Sequence, residues 1–356
     1  MTLFKTWRVA ALAAFGLAAM AAWAQMGPLR ASIGDPILSV HNGNVVGAPL
    51  GAGLYKKQGL DVIWTGAQAA VPSMQAAVAG SVDVGVGGTS AAFVVASSAA
   101  NARIIRVDAT NVWNIAVPGP SAIKGIESLK GKKIGVQALS AAGYLFARGM
   151  VAAAGLDADK DITWVPVGVG AQVAAAFRGG EIDAYAANYG ITEQFSRFVT
   201  GGMRFLPSVF DKLPNGFAVV ASADTIKNKR KELLAFLKAY DEGVIMSAAN
   251  PRMGVAMHWK AFPNQVPAGA PGVDAGAEMA NAVKRGWTAY ATAGPSGMLG
   301  VASKAELESL QQTYLKFGII KKTVDIDTVF DLSMATEAAR AIDRQVVERT
   351  AAAWRP

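Results

Sequence analysis

The chain has 356 residues, 52% of them hydrophobic and 17% charged, with no cysteine, two histidines and a formal net charge of +8. The apolar fraction excludes a disordered chain, and the missing cysteine excludes disulfide scaffolds, zinc fingers, iron–sulfur sites, thiol catalysis and lipidation of an N-terminal cysteine. The length predicts two domains, and we expect neither a metal site nor a cofactor.

Residues 1–24 have the pattern of a secretory signal peptide. Lys5 and Arg8 form a basic start, an apolar stretch follows over 9–21, and an Ala-Trp-Ala cleavage motif occupies 22–24. The apolar stretch is short for a membrane span. Removing this leader takes away two positive charges and no acid, so the net charge becomes +6. We therefore expect a periplasmic protein without membrane insertion or a lipid anchor.

After the leader, predicted strands alternate with predicted helices. The strands are 29–33, 60–64, 82–84 and 103–107, and the helices are 72–79 and one that opens over 87–90. After Val112 the pattern restarts, with strands at 115–117, 133–136, 162–165 and 182–184 and helices at 140–154 and 171–177. The alternation predicts an α/β fold with mainly parallel sheets.

A short internal repeat indicates two similar lobes. Gly80-x-Val82-Asp83 is echoed by Gly180-x-Ile182-Asp183, each after an alanine-rich helix. The last third contains a predicted strand at 217–221, helices at 231–247, 276–293, 304–316 and 332–352, and an edge segment at 323–327. If this third packs back on the first lobe, the chain crosses between lobes twice, near 113–115 and 215–218. The predicted domains are 25–113 plus 219–356, and 114–218.

The residue patterns of known catalytic sites are nearly absent. No Gly-x-Ser-x-Gly occurs, and the glycine run at 85–90 lacks the lysine of a phosphate loop. His258 fits a structural position on a helix face, and His41 lies in a polar loop as either a structural or a pocket residue. Asp83 and Asp183 form a candidate acid pair, with backbone binding at strand starts as the alternative. The basic residues form no stripe with aromatics, so nucleic acid is not expected as a partner.

Several predicted helices begin directly after strands with small or hydroxyl residues. These starts lie at 68–71, 89–90, 140–143 and 187–190. In open α/β sheets, ligands bind beyond the carboxyl ends of the strands, where helix N-termini favour an anionic group. An ordinary N-cap is the alternative for any one serine. Together the starts predict a small anionic ligand, with Trp113, Tyr144 and Tyr189 as apolar walls.

Six segments resemble one known family in chain order. They are 54–62 (LYKKQGLDV), 79–85 (AGSVDVG), 129–136 (LKGKKIGV), 140–145, 176–184, and 324–327 with 337–338. They are similar to the periplasmic substrate-binding proteins of ABC importers, in the aliphatic-sulfonate, taurine and nitrate group, which shares its fold with thiamine-precursor binding proteins. The resemblance implies a type II bilobal fold with a two-segment hinge.

The resemblance also implies a function and a site. A monomer would capture a sulfonate or carboxylate in the cleft between its lobes and deliver it to a membrane permease with its ATPase. The predicted ligand-binding residues are Asn42, Asn44, Gln68, Thr89, Ser90, Trp113, Ser140, Tyr144, Asn188, Tyr189 and Asn215. One alternative is a solute sensor that partners a membrane receptor. Another is an enzyme similar to pyrimidine synthases of this fold, which need a cysteine-rich motif that is absent here.

Overall fold

The computed structural model describes residues 26–214, 216–268 and 274–356. The predicted signal peptide and Asn215 therefore lie outside the described residues. None of the helices in these ranges combines the length and hydropathy needed to cross a bilayer. The strands are β1 (Leu29–Ile33), β2 (Val62–Gly66), β3 (Val84–Gly88), β4 (Ala102–Val107), β5 (Trp113–Pro118), β6 (Lys132–Val136), β7 (Ile162–Pro166), β8 (Ala184–Asn188), β9 (Met203–Phe205) and β10 (Phe217–Ser222).

Helices follow most of the strands. The α-helices are α1 (Gly47–Gly51), α2 (Leu54–Lys57), α3 (Ala70–Val78), α4 (Thr89–Ala96), α5 (Ala142–Ala153), α6 (Ala171–Arg178), α7 (Tyr189–Ser196), α8 (Ala223–Asn228), α9 (Arg230–Ala249), α10 (Pro251–Ala261), α11 (Ala275–Tyr290), α12 (Lys304–Lys316), α13 (Ile326–Val329), α14 (Ser333–Arg340) and α15 (Arg344–Ala353). Short 3₁₀ helices cover Val40–Asn42, Ile126–Leu129, Val209–Lys212 and Pro263–Gln265.

The strands form two five-stranded sheets with the same topology. The first has the order β2-β1-β3-β10-β4 and the second β7-β6-β8-β5-β9. In each, three parallel strands are followed by one antiparallel strand, β10 or β5, that arrives from the other sheet. The α/β prediction is confirmed, but the sheets are mixed rather than mainly parallel because each crossing of the chain inserts an antiparallel strand. We call the bodies built on these sheets the first and second lobes.

The internal repeat marks equivalent positions in the two lobes. Asp83 Oδ2 accepts a hydrogen bond from the backbone N–H of Arg30 at 2.7 Å, and Asp183 Oδ2 accepts one from that of Lys133 at 2.8 Å. Each aspartate thus fastens the turn before one strand to the start of its parallel neighbour. Both carboxylates therefore bind backbone N–H groups at strand starts, which was the alternative to a catalytic acid pair, and they do not form such a pair.

Two strand predictions start too early, for a common reason. The strands expected at 82–84 and 182–184 begin at Val84 and Ala184, after the aspartates, and continue through 88 and 188. The glycines at 85–88 therefore form β3 rather than the opening of a helix. A Cβ on Gly85 would lie 2.6 Å from the Ser73 carbonyl oxygen of α3. Glycine here lets α3 pack directly on the strand.

Two predictions in the C-terminal third are wrong. The edge segment at 323–327 is not a strand, because Asp325 caps helix α13 and its side chain accepts from the Asp327 N–H. The single helix expected at 332–352 is two helices, α14 and α15, with Asp343 as the N-cap of the second. In both places an aspartate side chain caps the first N–H groups of a helix, and hydrophobic periodicity does not reveal such a cap.

A buried ion cluster joins the first sheet to helix α9. The side chain of Arg106, fully buried near the end of β4, pairs with Asp108 and also with Asp241 of α9, at 2.8 Å. Its guanidinium also lies 4.5 Å from the ring centre of Tyr240. Nothing in the sequence pattern singles out this cluster, because Asp241 is more than 100 residues from Arg106 in the chain.

The equivalent aspartates give a matched test of the fold. Burial opposes the ionisation of Asp83, but its hydrogen bonds from Arg30 and the ammonium of Lys229, 3.0 Å away, outweigh burial and lower its pKa. We expect Asp83→Asn to destabilise the protein by about 1–3 kcal/mol at neutral pH, and Asp183→Asn to cost less, because no cation pairs with Asp183 among the described residues.

The pH dependence follows from the direction of this pKa shift. The stability that ionised Asp83 contributes is present above its ordinary pKa of 3.8 and is lost as the pH falls below that value. Urea unfolding at several pH values should show the gap between wild type and Asp83→Asn closing in acid. A gap that stays constant with pH, or equal effects of the two substitutions, would contradict this assignment.

Candidate functional site

A small cavity lies between the lobes at the carboxyl ends of the central strands. The ends of β1 and β3 contribute Gly34, Asp35 and Gly88, and the end of β8 contributes Asn188. The remaining lining residues are Ile33, Asn42, Ala70, Gly87, Trp113, Gln137, Ala142, Ile191 and Phe217. This is where open α/β sheets bind ligands, and residues of both lobes form its wall.

Four helices start at this cavity. Ala70 and Ala142 are the first residues of α3 and α5, and Gly88 and Asn188 are the N-caps of α4 and α7. Several N–H groups at these starts already have partners: Val71 donates to the Ser140 carbonyl, Thr89 to the Gly216 carbonyl and Ile191 to Asn188 Oδ1. The helix N-termini do converge as predicted, but some of their N–H groups already donate to acceptors within the protein.

Asp35 is the charged residue among the cavity-lining residues that the structure describes. Asp35 Oδ2 lies 2.6 Å from His41 Nε2 and accepts from Asn42 Nδ2 at 3.3 Å, whereas Oδ1 is buried with no partner among the described residues. A buried acceptor without a partner costs about 1–3 kcal/mol. No lysine or arginine belongs to the described lining. An acidic ligand would therefore have to be recognised here by backbone N–H groups rather than by side-chain cations.

The structure brings three of the predicted site residues to the cavity wall. These are Asn42, Trp113 and Asn188. Asn215 lies outside the described residues, and the other seven are not among the lining residues: Asn44, Gln68, Thr89, Ser90, Ser140, Tyr144 and Tyr189. Sequence reasoning missed Asp35 and Gln137, although both lie within two residues of a strand end, because small and hydroxyl residues at helix starts carried the prediction.

Packing explains why the hydroxyl candidates of α4 and the two tyrosines do not line the cavity. Thr89 Oγ1 is 2.8 Å from the hydroxyl of Tyr314 in α12, and Ser90 is completely buried beside it in α4. Tyr144 packs edge-on against Trp164 and receives a hydrogen bond from Arg148. Tyr189 packs on Phe205 and under Arg285. Contacts with other side chains therefore hold these residues, and they do not line the cavity.

The remaining candidates and His258 lie outside the cavity lining. Asn44 is fully buried away from the lining, Gln68 is exposed, and Ser140 is half-buried and offers its carbonyl to Val71. His258 is buried in α10 and bonded to Gln265, and burial lowers its pKa to about 4, so the structural interpretation holds. His41 contacts the cavity residue Asp35.

The lobes are closed on each other. Gln137 of the second lobe donates from Nε2 to the carbonyls of Gly34 and Gln68 of the first, at 3.2 and 2.9 Å. His41 Nδ1 lies 3.2 Å from Gln194 Oε1 across the cleft. The enclosed cavity measures about 20 Å³, the size of one water molecule. A larger solute therefore enters only if the lobes move apart.

Helices α7 and α11 form a second contact between the lobes. Arg285 of α11 lies 3.9 Å from the ring centre of Tyr189, and Arg197 pairs with Glu278 at 2.7 Å. Burial raises the pKa of Glu193 to about 7, with Arg285 opposing the shift. A groove of about 490 Å³ runs beside this contact, but it lies along the helices rather than at the strand ends.

One family model matches most of the region that forms both lobes. It is described as NMT1/THI5 like, and it matches residues 41–253. A search of curated proteins gave no match.

Solved structures with this architecture include three binding proteins. The alkanesulfonate-binding protein SsuA from Xanthomonas axonopodis pv. citri has a TM-score of 0.63 at 19% identity, covering 86% of this chain and 100% of that one. The periplasmic aliphatic sulphonate-binding protein SsuA from Escherichia coli has a TM-score of 0.61 at 20% identity, covering 85% of this chain and 91% of that one. The periplasmic nitrate-binding protein NrtA from Synechocystis PCC 6803 has a TM-score of 0.65 at 15% identity, covering 91% of this chain and 91% of that one. They share the bilobal fold of this chain.

Gln137 gives a test of lobe closure. We expect Gln137→Ala to shift the protein towards more open arrangements, because it removes two hydrogen bonds between the lobes, each worth about 0.5–1.5 kcal/mol. Small-angle X-ray scattering should then give a larger radius of gyration. Gln172→Ala, at an exposed position, is the control and should leave it unchanged. An unchanged radius for Gln137→Ala would show that these bonds do not hold the lobes together.

Proposed function

The chain belongs to the NMT1/THI5-like family, and we propose that it is an extracytoplasmic solute-binding protein that delivers its cargo to an ABC permease. The observation that supports this most directly is the cavity at the strand ends, walled by both lobes and shut by hydrogen bonds across the cleft. Such a site encloses a solute when the lobes close and releases it when they part.

The solute that we propose is a small organic acid, a sulfonate or carboxylate. The four helix starts at the cavity favour an acidic group, and the structural neighbours include proteins named for alkanesulfonate and nitrate binding. The scarcity of side-chain cations on the wall suggests that release does not require breaking a strong ion pair, as suits a carrier.

Binding rather than catalysis is the role we propose. Asp35 and His41 are the titratable groups at the described cavity, and each is held by neighbours at its place. The described residues include no cluster of three or more histidines or acids placed to hold a metal ion.

The pattern at residues 1–24 supports export to the periplasm, and we propose a monomer that docks on a permease and its ATPase. A solute sensor for a membrane receptor is the alternative.

Gly88 offers a test of capture between closed lobes. A Cβ on Gly88 would lie 2.4 Å from the Cβ of Ala142 and 2.8 Å from the Trp113 ring, so a valine would hold the lobes apart. We expect wild type to bind members of a panel of small sulfonates and carboxylates in calorimetric titrations, and Gly88→Val to bind them at least about tenfold more weakly.

Gly27→Val is the control, because a Cβ on Gly27 meets no heavy atom within 4 Å. Thermal melting should show both variants folded. Equal affinity of wild type and Gly88→Val would contradict capture in this cleft.

A further inference from the structure

Asp35 differs from the other buried aspartates of the described residues. Asp83 pairs with Arg30 and Lys229, and Asp108 and Asp241 both pair with Arg106. Asp35 is equally buried, with 3% of its surface exposed, but forms no pair with a lysine or arginine in the described part of the chain. Its titratable neighbour is His41, which lies 2.6 Å from Oδ2. Because proteins keep buried carboxylates when both their charge and their lone pairs are matched, Oδ1 still needs a partner.

The neighbours of Asp35 fix its position but use only one of its oxygens. His41 and Asn42 both contact Oδ2, and His41 is held in turn by Ser39 Oγ at 2.7 Å. Oδ1 is fully buried and has no hydrogen bond among the described residues, on a side chain that lines the cavity. This arrangement presents an acceptor whose orientation is set before any ligand arrives.

We propose that Asp35 determines specificity by accepting a hydrogen bond from an amino group of the solute. This inference rests on the proposed capture of a solute between the lobes. The solute then carries two groups, an acidic one at the helix starts and an amino group at Asp35. A plain organic acid would place its charge beside Asp35 in a small enclosed space, where like charges repel strongly. Asp35 thus selects amino-substituted acids over their unsubstituted counterparts.

The test compares pairs of probes that differ only in the amino group. The pairs are 3-aminopropane-1-sulfonate with propane-1-sulfonate, and 4-aminobutyrate with butyrate, measured by calorimetric titration. In wild type we expect the amino member of at least one pair to bind about tenfold or more tightly, as befits a hydrogen bond to a charged group. Asp35→Asn should bring the two members within about twofold of each other.

Two variants control for indirect effects. Asp61→Asn makes the same chemical change at an exposed position and should keep the wild-type preference. Asp224→Asn makes it at a second exposed position and should likewise keep the preference. The wild-type comparison stands even if Asp35→Asn does not fold.

The outcomes separate the two proposals. If the paired probes bind wild type equally, or if Asp35→Asn keeps the wild-type preference, the role of Asp35 is overturned while solute capture stands. If no probe of either kind binds wild type, both proposals are overturned.

Discussion

The stacking of Trp113 on Phe217 holds together the place where the chain crosses between the lobes. Their rings lie 5.3 Å apart and nearly parallel, and Trp113 Nε1 donates to the Gly216 carbonyl at 2.7 Å. Trp113 begins β5 and Phe217 begins β10, the antiparallel strands that enter the two sheets. Phe146 also stacks on Trp113, with ring centres 5.5 Å apart. One aromatic contact therefore aligns both crossings and forms part of the cavity wall.

Backbone hydrogen bonds also join the two crossing segments. Asn111 N–H donates to the Leu213 carbonyl and Gly216 N–H to the Thr110 carbonyl, each at 3.2 Å. The two segments form a narrow double connection, whereas the contacts farther out, at Gln137 and Arg285, are single side chains. A connection that stays intact while peripheral side chains separate is what opening and closing requires.

Much of the site could be predicted in outline but not in detail. Helix starts after strands were correctly expected to meet, because a parallel sheet brings its carboxyl ends to one edge. Which side chains reach that edge was harder to predict. Thr89 and Ser90 lie behind the wall because α4 is buried against α12, and Asn42 reaches it because it bonds Asp35. A residue's position in the chain does not give the direction of its side chain.

The α/β alternation, the two similar lobes, the family and the absence of cysteine chemistry can all be derived from the sequence alone. These depend on local periodicity, on turns and on short motifs, which neighbouring residues encode. Three features become visible only in the folded chain. The sheets are mixed, Arg106 pairs with Asp108 and with the distant Asp241, and Asp35 is the charged residue among the cavity-lining residues that the structure describes. The mixed sheets and the pairing with Asp241 depend on segments that folding brings together across long stretches of chain. Burial then gives the charged side chains an importance that composition cannot show.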